Sequence, residues 1–324
     1  MKNQVVSEDY SIYNADCMEV LPQLPENSID FSVYSPPFAG LYNYSSSPED
    51  FSNCESKEQF LQQYDFLIGE ISRVTKPGRV TAVHCTDIHS NDGSLWDFPA
   101  EIIKLHEKHG MRYMNRITVW KEPLKVRMRT MVKSLMHKLI VEDSTQCFPA
   151  MPDYVLVFKK RGENAVPVTH PVGLSYYAGE MPFLKMHEET YGDWETFHKK
   201  WKGYTGDPAT NKMSHIIWQR YASSVWDDIR IDEVLEYKGG RDEDDEKHVH
   251  PLQLDVIDRL VELYTNPGEV VLTPFAGVMS EVFSPVSMGR KAIGIELKES
   301  YFKQGVLNMQ GAKSRFKKEQ LELF

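Results

Sequence analysis

Residues 254–275 read LDVIDRLVELYTNPGEVVLTPF, and the fold class follows from this stretch. Leu254, Ile257, Val261 and Tyr264 recur at helical spacing, so residues 254–264 predict an amphipathic helix. Thr265-Asn266-Pro267-Gly268 then stops it, because proline cannot continue the hydrogen-bond ladder and glycine frees the turn. The run EVVLTPF that follows is rich in β-formers and predicts a strand. The same step occurs earlier. Phe60, Leu61, Tyr64, Leu67, Ile68, Ile71 and Val74 form one stripe over residues 57–75, Lys76-Pro77-Gly78 ends it, and the strand RVTAVH begins.

Further β-rich runs fall at 9–14, 29–34, 115–120, 154–159 and 291–296, beside those at 79–84 and 269–273. Strands and helices alternating on this scale predict an α/β fold with a doubly wound, mostly parallel sheet. Residues 162–246 break the rhythm with Gly, Pro, Trp and Tyr in irregular order, as in YGDWETFHKKWKGYTGDP. The expected organisation is a first catalytic part at 1–161, an inserted recognition region at 162–246 and a second part at 247–324. A length of 324 residues suits this plan, since single cores stop growing near roughly 250–300 residues.

Composition excludes several classes. Hydrophobic residues at 41% and charged residues at 26% exclude wholesale disorder and fibrous repeats. No apolar run approaches the ~20 residues of a membrane helix, and the start MKNQVVSEDY lacks the pattern of a signal peptide, so a cytoplasmic location without membrane contact is expected. Cys17, Cys54, Cys85 and Cys147 form no CxxC pair, which predicts free thiols in a reducing compartment and no zinc site. The formal net charge of −10 argues against a uniformly basic nucleic-acid coat. The charge is uneven, however. Residues 227–246 hold ten acids against three bases, whereas residues 121–140 (KEPLKVRMRTMVKSLMHKLI) hold six bases against one acid.

Two turns carry chemistry. Ser35-Pro36-Pro37-Phe38 follows the strand predicted at 29–34, and two prolines there end the strand and remove two N–H donors. What remains is carbonyls and a hydroxyl at the crevice where doubly wound folds bind ligands. The second turn, Thr273-Pro274-Phe275-Ala276-Gly277, lies between a strand and a helix, where small residues let a ligand approach the backbone and the helix N-terminus. Glu296 closes the next strand and is placed to accept both ribose hydroxyls of an adenosine-containing cofactor. No GxGxxG cradle is present, which disfavours a dinucleotide. The run His84-Cys85-Thr86-Asp87-Ile88-His89 contains ligand-type side chains, but it reads better as a strand leaving the sheet than as a metal site, and no metal is expected.

Together these residues resemble the amino-group DNA methyltransferases, enzymes that methylate cytosine N4 or adenine N6 with S-adenosylmethionine. Ser35-Pro36-Pro37-Phe38 is similar to that family's catalytic (D/N/S)PP(Y/F) motif, and Pro274-Phe275-Ala276-Gly277 to its DPFxGxG cofactor motif. His250-Pro251-Leu252-Gln253 resembles the HPxQKP segment, and Asn14-Ala15-Asp16-Cys17 the acidic segment that holds adenine. Catalytic motif first and cofactor motif last is the permuted order of the family's β group, and the chain most resembles phage- or prophage-type members. The resemblance covers roughly residues 9–160 and 246–310.

It implies a Rossmann-like methyltransferase fold and catalytic roles for Ser35, Pro36, Pro37 and Phe38. It also implies cofactor contacts from Asp16, Cys17, His250, Pro251, Gln253, Thr273, Pro274, Phe275, Ala276, Gly277 and Glu296. Double-stranded DNA is the expected partner, with Lys121, Lys125, Arg127, Arg129 and Lys133 facing its phosphates and a homodimer possible. Ser at the first motif position favours cytosine over adenine. The sequence departs from the motif at three places: Thr273 stands where Asp is usual, Val278-Met279 replaces x-Gly, and Leu254-Asp255 replaces Lys-Pro. A silent DNA-binding relative and an RNA methyltransferase therefore remain open alternatives.

Overall fold

The computed structural model describes residues 1–37, 54, 56–89, 94–171, 173, 174, 176–180, 212–241 and 251–315. Eleven strands and nine α-helices are found among these residues. In chain order they are β1 (Asn3–Val6), β2 (Tyr10–Asn14), α1 (Cys17–Val20), β3 (Ile29–Tyr34), α2 (Lys57–Val74), β4 (Thr75–Cys85), β5 (Ile88–His89) and β6 (Leu95–Trp96). There follow α3 (Phe98–Lys108), β7 (Met111–Val119), α4 (Pro123–Thr130), α5 (Lys138–Glu142), β8 (Asp153–Lys160), α6 (Lys212–Tyr221) and β9 (Val225–Trp226). The second half ends with α7 (Leu254–Tyr264), β10 (Val270–Thr273), α8 (Ser280–Ser287), β11 (Lys291–Glu296) and α9 (Glu299–Met309). Each strand expected from the sequence is present.

Nine strands form one sheet in the order β1-β2-β11-β10-β3-β4-β8-β7-β9. The five from β2 to β4 run parallel, and β8 and β7 continue the sheet as an antiparallel pair. From β3 the chain winds outward through α2 to β4, and from β10 it winds the opposite way through α8 to β11. β3 and β10 are neighbours, so the topological switch point lies between them. Ligands of such folds bind in the crevice at the carboxyl ends of those two strands.

Two cores flank the sheet. On one face α2 and α3 bury Phe60, Tyr64, Leu67, Ile71, Phe98 and Ile102 against Tyr34, Val83 and Leu272. On the other, Val256, Ile257 and Leu260 of α7, Val282 of α8 and Phe302 of α9 cover Phe31, Val33, Ala82 and Val271. Each such side chain contributes about 1.5–3 kcal/mol through burial. Asp30 fixes the opposite edge of the sheet, pairing with Lys76 Nζ at 2.6 Å and accepting the Val270 amide at 3.0 Å. β4 begins at Thr75, earlier than the sequence suggests, because Lys76-Pro77-Gly78 bulges within the strand instead of preceding it. Gly78 is required there: its φ is +71° and a Cβ would strike the backbone of Asn164.

The described parts of residues 162–246 pack on the main sheet. β9 pairs with β7, and Trp226 is fully buried. Arg259 of α7, also fully buried, pairs with Asp228 at 2.8 Å and lies under the rings of Tyr221, Trp226 and Tyr177 at 4.9, 5.0 and 5.3 Å. This cluster straps residues 176–180 and 221–228 to α7. Trp194, Trp201 and Tyr204, expected in the recognition region, lie outside the described residues.

Candidate active site

β3 delivers Ser35, Pro36 and Pro37 to the switch point, with Pro36 buried and Ser35 half-buried. Phe38 lies outside the described residues. Ser35 shares a sheet face with His84 of the adjacent β4, and its Oγ lies 3.0 Å from His84 Nδ1. The other ring nitrogen, Nε2, stands 3.1 Å from Asp153 Oδ2 at the start of β8. That contact is electrostatic rather than a well-directed hydrogen bond. Lys121, two residues beyond β7, donates to Asp153 Oδ1 at 2.5 Å. A polar chain Ser35–His84–Asp153–Lys121 thus crosses four neighbouring strand ends.

Its charge state follows from its setting. Burial raises the pKa of the Asp153 carboxyl, but the Lys121 ammonium and the His84 imidazole outweigh burial and hold it well below the usual carboxylate range. An ionised Asp153 favours the His84 proton on Nε2, so Nδ1 accepts from the Ser35 hydroxyl; this tautomer is assigned from the neighbouring charge. The Ser35 lone pairs are then free to accept from a substrate donor.

The cofactor-type residues converge on the adjoining strand ends. Ala276 N donates to Ile295 O at 2.8 Å, which closes the turn after β10 against β11. Glu296 accepts the Gly277 amide on Oε2 at 2.7 Å and the Lys298 amide on Oε1 at 2.8 Å. Each oxygen keeps a further lone pair. Gly277 has a φ of +50°, and a Cβ there would meet open space, so its backbone can be approached. The Phe275 ring sits edge-on to Tyr34, 6.0 Å between centroids. Asn14 Nδ2 donates to the carbonyls of Glu296 and Leu297, bringing β2 beside this turn. Asp16 caps α1 by accepting the Met18 amide at 2.9 Å. Cys17 is buried, and burial pushes its thiol pKa well up, so its side chain serves the core and only its backbone is left for a ligand.

The altered cofactor turn keeps the backbone shape that glycine favours. Met279 itself adopts φ +73°, and its side chain is fully buried. A Cβ on Gly305 of α9 would strike Met279 Cγ, so that glycine leaves the space Met279 fills. The expectation that losing the second glycine tightens the turn is therefore corrected.

Several buried oxygens here lack a hydrogen-bond partner: Asn14 Oδ1, Gln253 Oε1, Thr273 Oγ1 and Ser280 Oγ. They belong to β2, the start of α7, the end of β10 and the start of α8. Orphaned buried acceptors cost free energy unless a ligand or water meets them. With Glu296 and open Gly277, they fit an adenosine-bearing amino acid such as S-adenosylmethionine. Pro251 precedes α7 as expected. His250 lies outside the described residues.

The basic segment needs one correction. Lys121 is not free for phosphate, because its ammonium is held by buried Asp153 and its side chain is 15% exposed. Lys125, Arg127 and Lys133 lie on or beside α4; Lys125 approaches Asp232 at 3.6 Å, both exposed. The Arg129 side chain is outside the described set. Sequence reasoning missed Asp153 altogether and considered His84 only as a metal ligand. Among the described residues, no group of three or more His, Cys, Asp or Glu is arranged to hold a metal ion, and no helix is long and apolar enough to cross a membrane.

Sheet order, switch point and site together define a Rossmann-like fold of the methyltransferase type. The DNA methylase family profile (N6_N4_Mtase) matches residues 29–307, and the chain belongs to that family. It is 26% identical over 286 residues to the type II methyltransferase M.BamHI of Bacillus amyloliquefaciens, covering 88% of this chain and 54% of that protein. The chain thus spans about half the length of that relative. Its fold is shared with TTHA0409 of Thermus thermophilus, a DNA modification methylase solved in complex with S-adenosyl-L-methionine (TM-score 0.60, 20% identity, 94% and 95% of the two chains). The cytosine-N4-specific PvuII DNA methyltransferase is also similar (TM-score 0.59, 14% identity, 94% and 87%).

Proposed function

We propose that this chain is a site-specific DNA methyltransferase that uses S-adenosylmethionine to methylate the exocyclic amino group of an extruded base, cytosine N4 in preference to adenine N6. The observation that carries the reading is the Ser35–His84 contact at the switch point, backed by Asp153 and facing the cofactor-type turn. Bound at that turn, S-adenosylmethionine supplies an electrophilic methyl group.

An exocyclic amine is a weak nucleophile because its lone pair is delocalised into the ring. With its proton given to His84 Nδ1, Ser35 Oγ accepts a hydrogen bond from the amine, and the Pro36 carbonyl accepts a second. Both draw the nitrogen toward sp³ geometry and orient its lone pair for in-line attack. Transfer leaves the amine positively charged with one proton too many. That proton passes to Ser35 Oγ as the serine proton passes to His84 Nδ1, and the resulting imidazolium lies beside ionised Asp153. Neutral serine in place of aspartate favours cytosine. Glu296 holds the cofactor ribose, and the target base leaves the duplex because its amine cannot otherwise reach the crevice. Lys125, Arg127 and Lys133 face phosphate.

Incubation with mixed-sequence DNA and labelled cofactor, followed by nucleoside mass spectrometry and base-resolution mapping, tests activity, base and site together. The expected product is N4-methylcytosine at one sequence, abolished by Ser35→Ala. Methylation of RNA alone, or full activity of Ser35→Ala, would overturn the assignment.

A further inference from the structure

β7 leaves the sheet and β8 re-enters it at the catalytic edge, where Val119 pairs with Asp153. Residues 120–152 therefore emerge beside the Ser35–His84–Asp153 chain. Seven of the sixteen exposed large apolar side chains among the described residues lie on this one excursion, so its apolar surface is not ordinary scatter. Three of them, Leu124, Met128 and Met131, are 64%, 71% and 66% exposed and stand at i, i+4 and i+7 along α4 and its C-cap. They form one stripe. Glu122 caps the helix through the Leu124 and Lys125 amides, and Met131 ends it at φ 54°, a left-handed conformation unfavourable for a side-chain-bearing residue.

Charge identifies the occupant. Lys125, Arg127 and Lys133 border the stripe, and the exposed Lys125–Asp232 pair is weak enough for a phosphate to displace. Lysine is depleted in the cores of protein interfaces, whereas duplex DNA offers phosphates outside and an apolar base stack within. An unbranched Met side chain adapts to an irregular gap.

We propose that the Leu124–Met128–Met131 stripe enters duplex DNA beside the target base pair and fills the space left by the extruded base. This rests on the DNA methyltransferase reading and gives it a device for extrusion. The test uses the full chain and its Met128→Ala/Met131→Ala variant on the mapped site, with the target base either normally paired or opposite an abasic position.

Because both side chains are exposed, the variant should fold and bind S-adenosylmethionine as the wild type does. Single-turnover methylation of the paired duplex should fall by roughly tenfold or more, since unstacking must proceed without the wedge. The abasic duplex should restore it to near the wild-type rate. An unchanged rate on the paired duplex, or an equal loss on both duplexes, would overturn the proposal. So would a variant that dissociates a dimer while methylating paired DNA normally, which would mark a protein interface. A wild-type chain that methylates no DNA refutes the proposed function itself and this inference with it, a result distinct from a failure of the variant.

Discussion

Glu281 is the second residue of α8, 5% exposed, next to the cofactor-type turn. Burial, helped by the charge of Glu296 and opposed by its own backbone amide, pushes its carboxyl pKa up from 4.5 to about 8. Below pH 4.5 both the folded and the unfolded chain carry the proton, and the group costs nothing extra. Between 4.5 and about 8 the unfolded chain releases the proton while the folded chain keeps it, so stability falls by about 1.4 kcal/mol per pH unit. The accumulated loss at pH 7.5 is about 4 kcal/mol, a ceiling that water entry would reduce. Glu281→Gln keeps the shape and removes the titration. It should match the wild type to within about 1 kcal/mol near pH 5 and exceed it progressively, by up to about 4 kcal/mol, near pH 7.5. Urea denaturation of both proteins at matched pH values measures this, and their difference cancels every other titrating group. A difference that stays constant from pH 5.5 to 8 would refute the reasoning.

Two further outcomes follow from buried contacts. Asp153→Asn should lower stability by about 3 kcal/mol by leaving the Lys121 ammonium without its counter-charge, and Asp153→Asn/Lys121→Met should recover much of that loss in denaturant titration while methyl transfer stays slow. Gly305→Ala should destabilise strongly through collision with Met279, and Met279→Gly should cost about 1–3 kcal/mol as lost burial outweighs relieved strain. The double variant should be far less damaged than the two losses added together, and additivity within about 0.5 kcal/mol would refute the contact.

The parallel half of the fold was legible because each strand there is followed by a helix whose stripe and stop signals are local. Residues 57–75 and 254–264 were read almost to the residue for that reason. The two motif turns were legible for a related reason, since each directly follows a strand. The antiparallel end was not. Asp153 reaches His84 because β8 runs against β4, pairing His84 with Val155, and nothing in the local sequence states that pairing. β9 was invisible as well: two residues carry no periodicity, and only the burial of Trp226 and its neighbours on Arg259 fixes them to the sheet.

Charge shows the same limit. Counting along the chain finds a basic block at 121–140 and an acidic one at 227–246, but an ionised side chain is available to a partner only if tertiary structure has not already neutralised it. Lys121 is consumed by Asp153, and Lys138 lies 3.6 Å from Glu142. In the acidic block, Asp228 is consumed by Arg259, and Asp227 meets Arg220 at 2.5 Å. β9 also carries the start of the acidic block to the edge of β7, so Asp232 approaches Lys125 across the mouth of the crevice. The basic surface open to phosphate is therefore narrower than the sequence count and bordered by carboxylates. Such a border opposes binding of DNA away from the crevice. Removing the exposed carboxylate through Asp232→Asn should accordingly strengthen non-specific DNA binding, and the gain should fade as salt screens it.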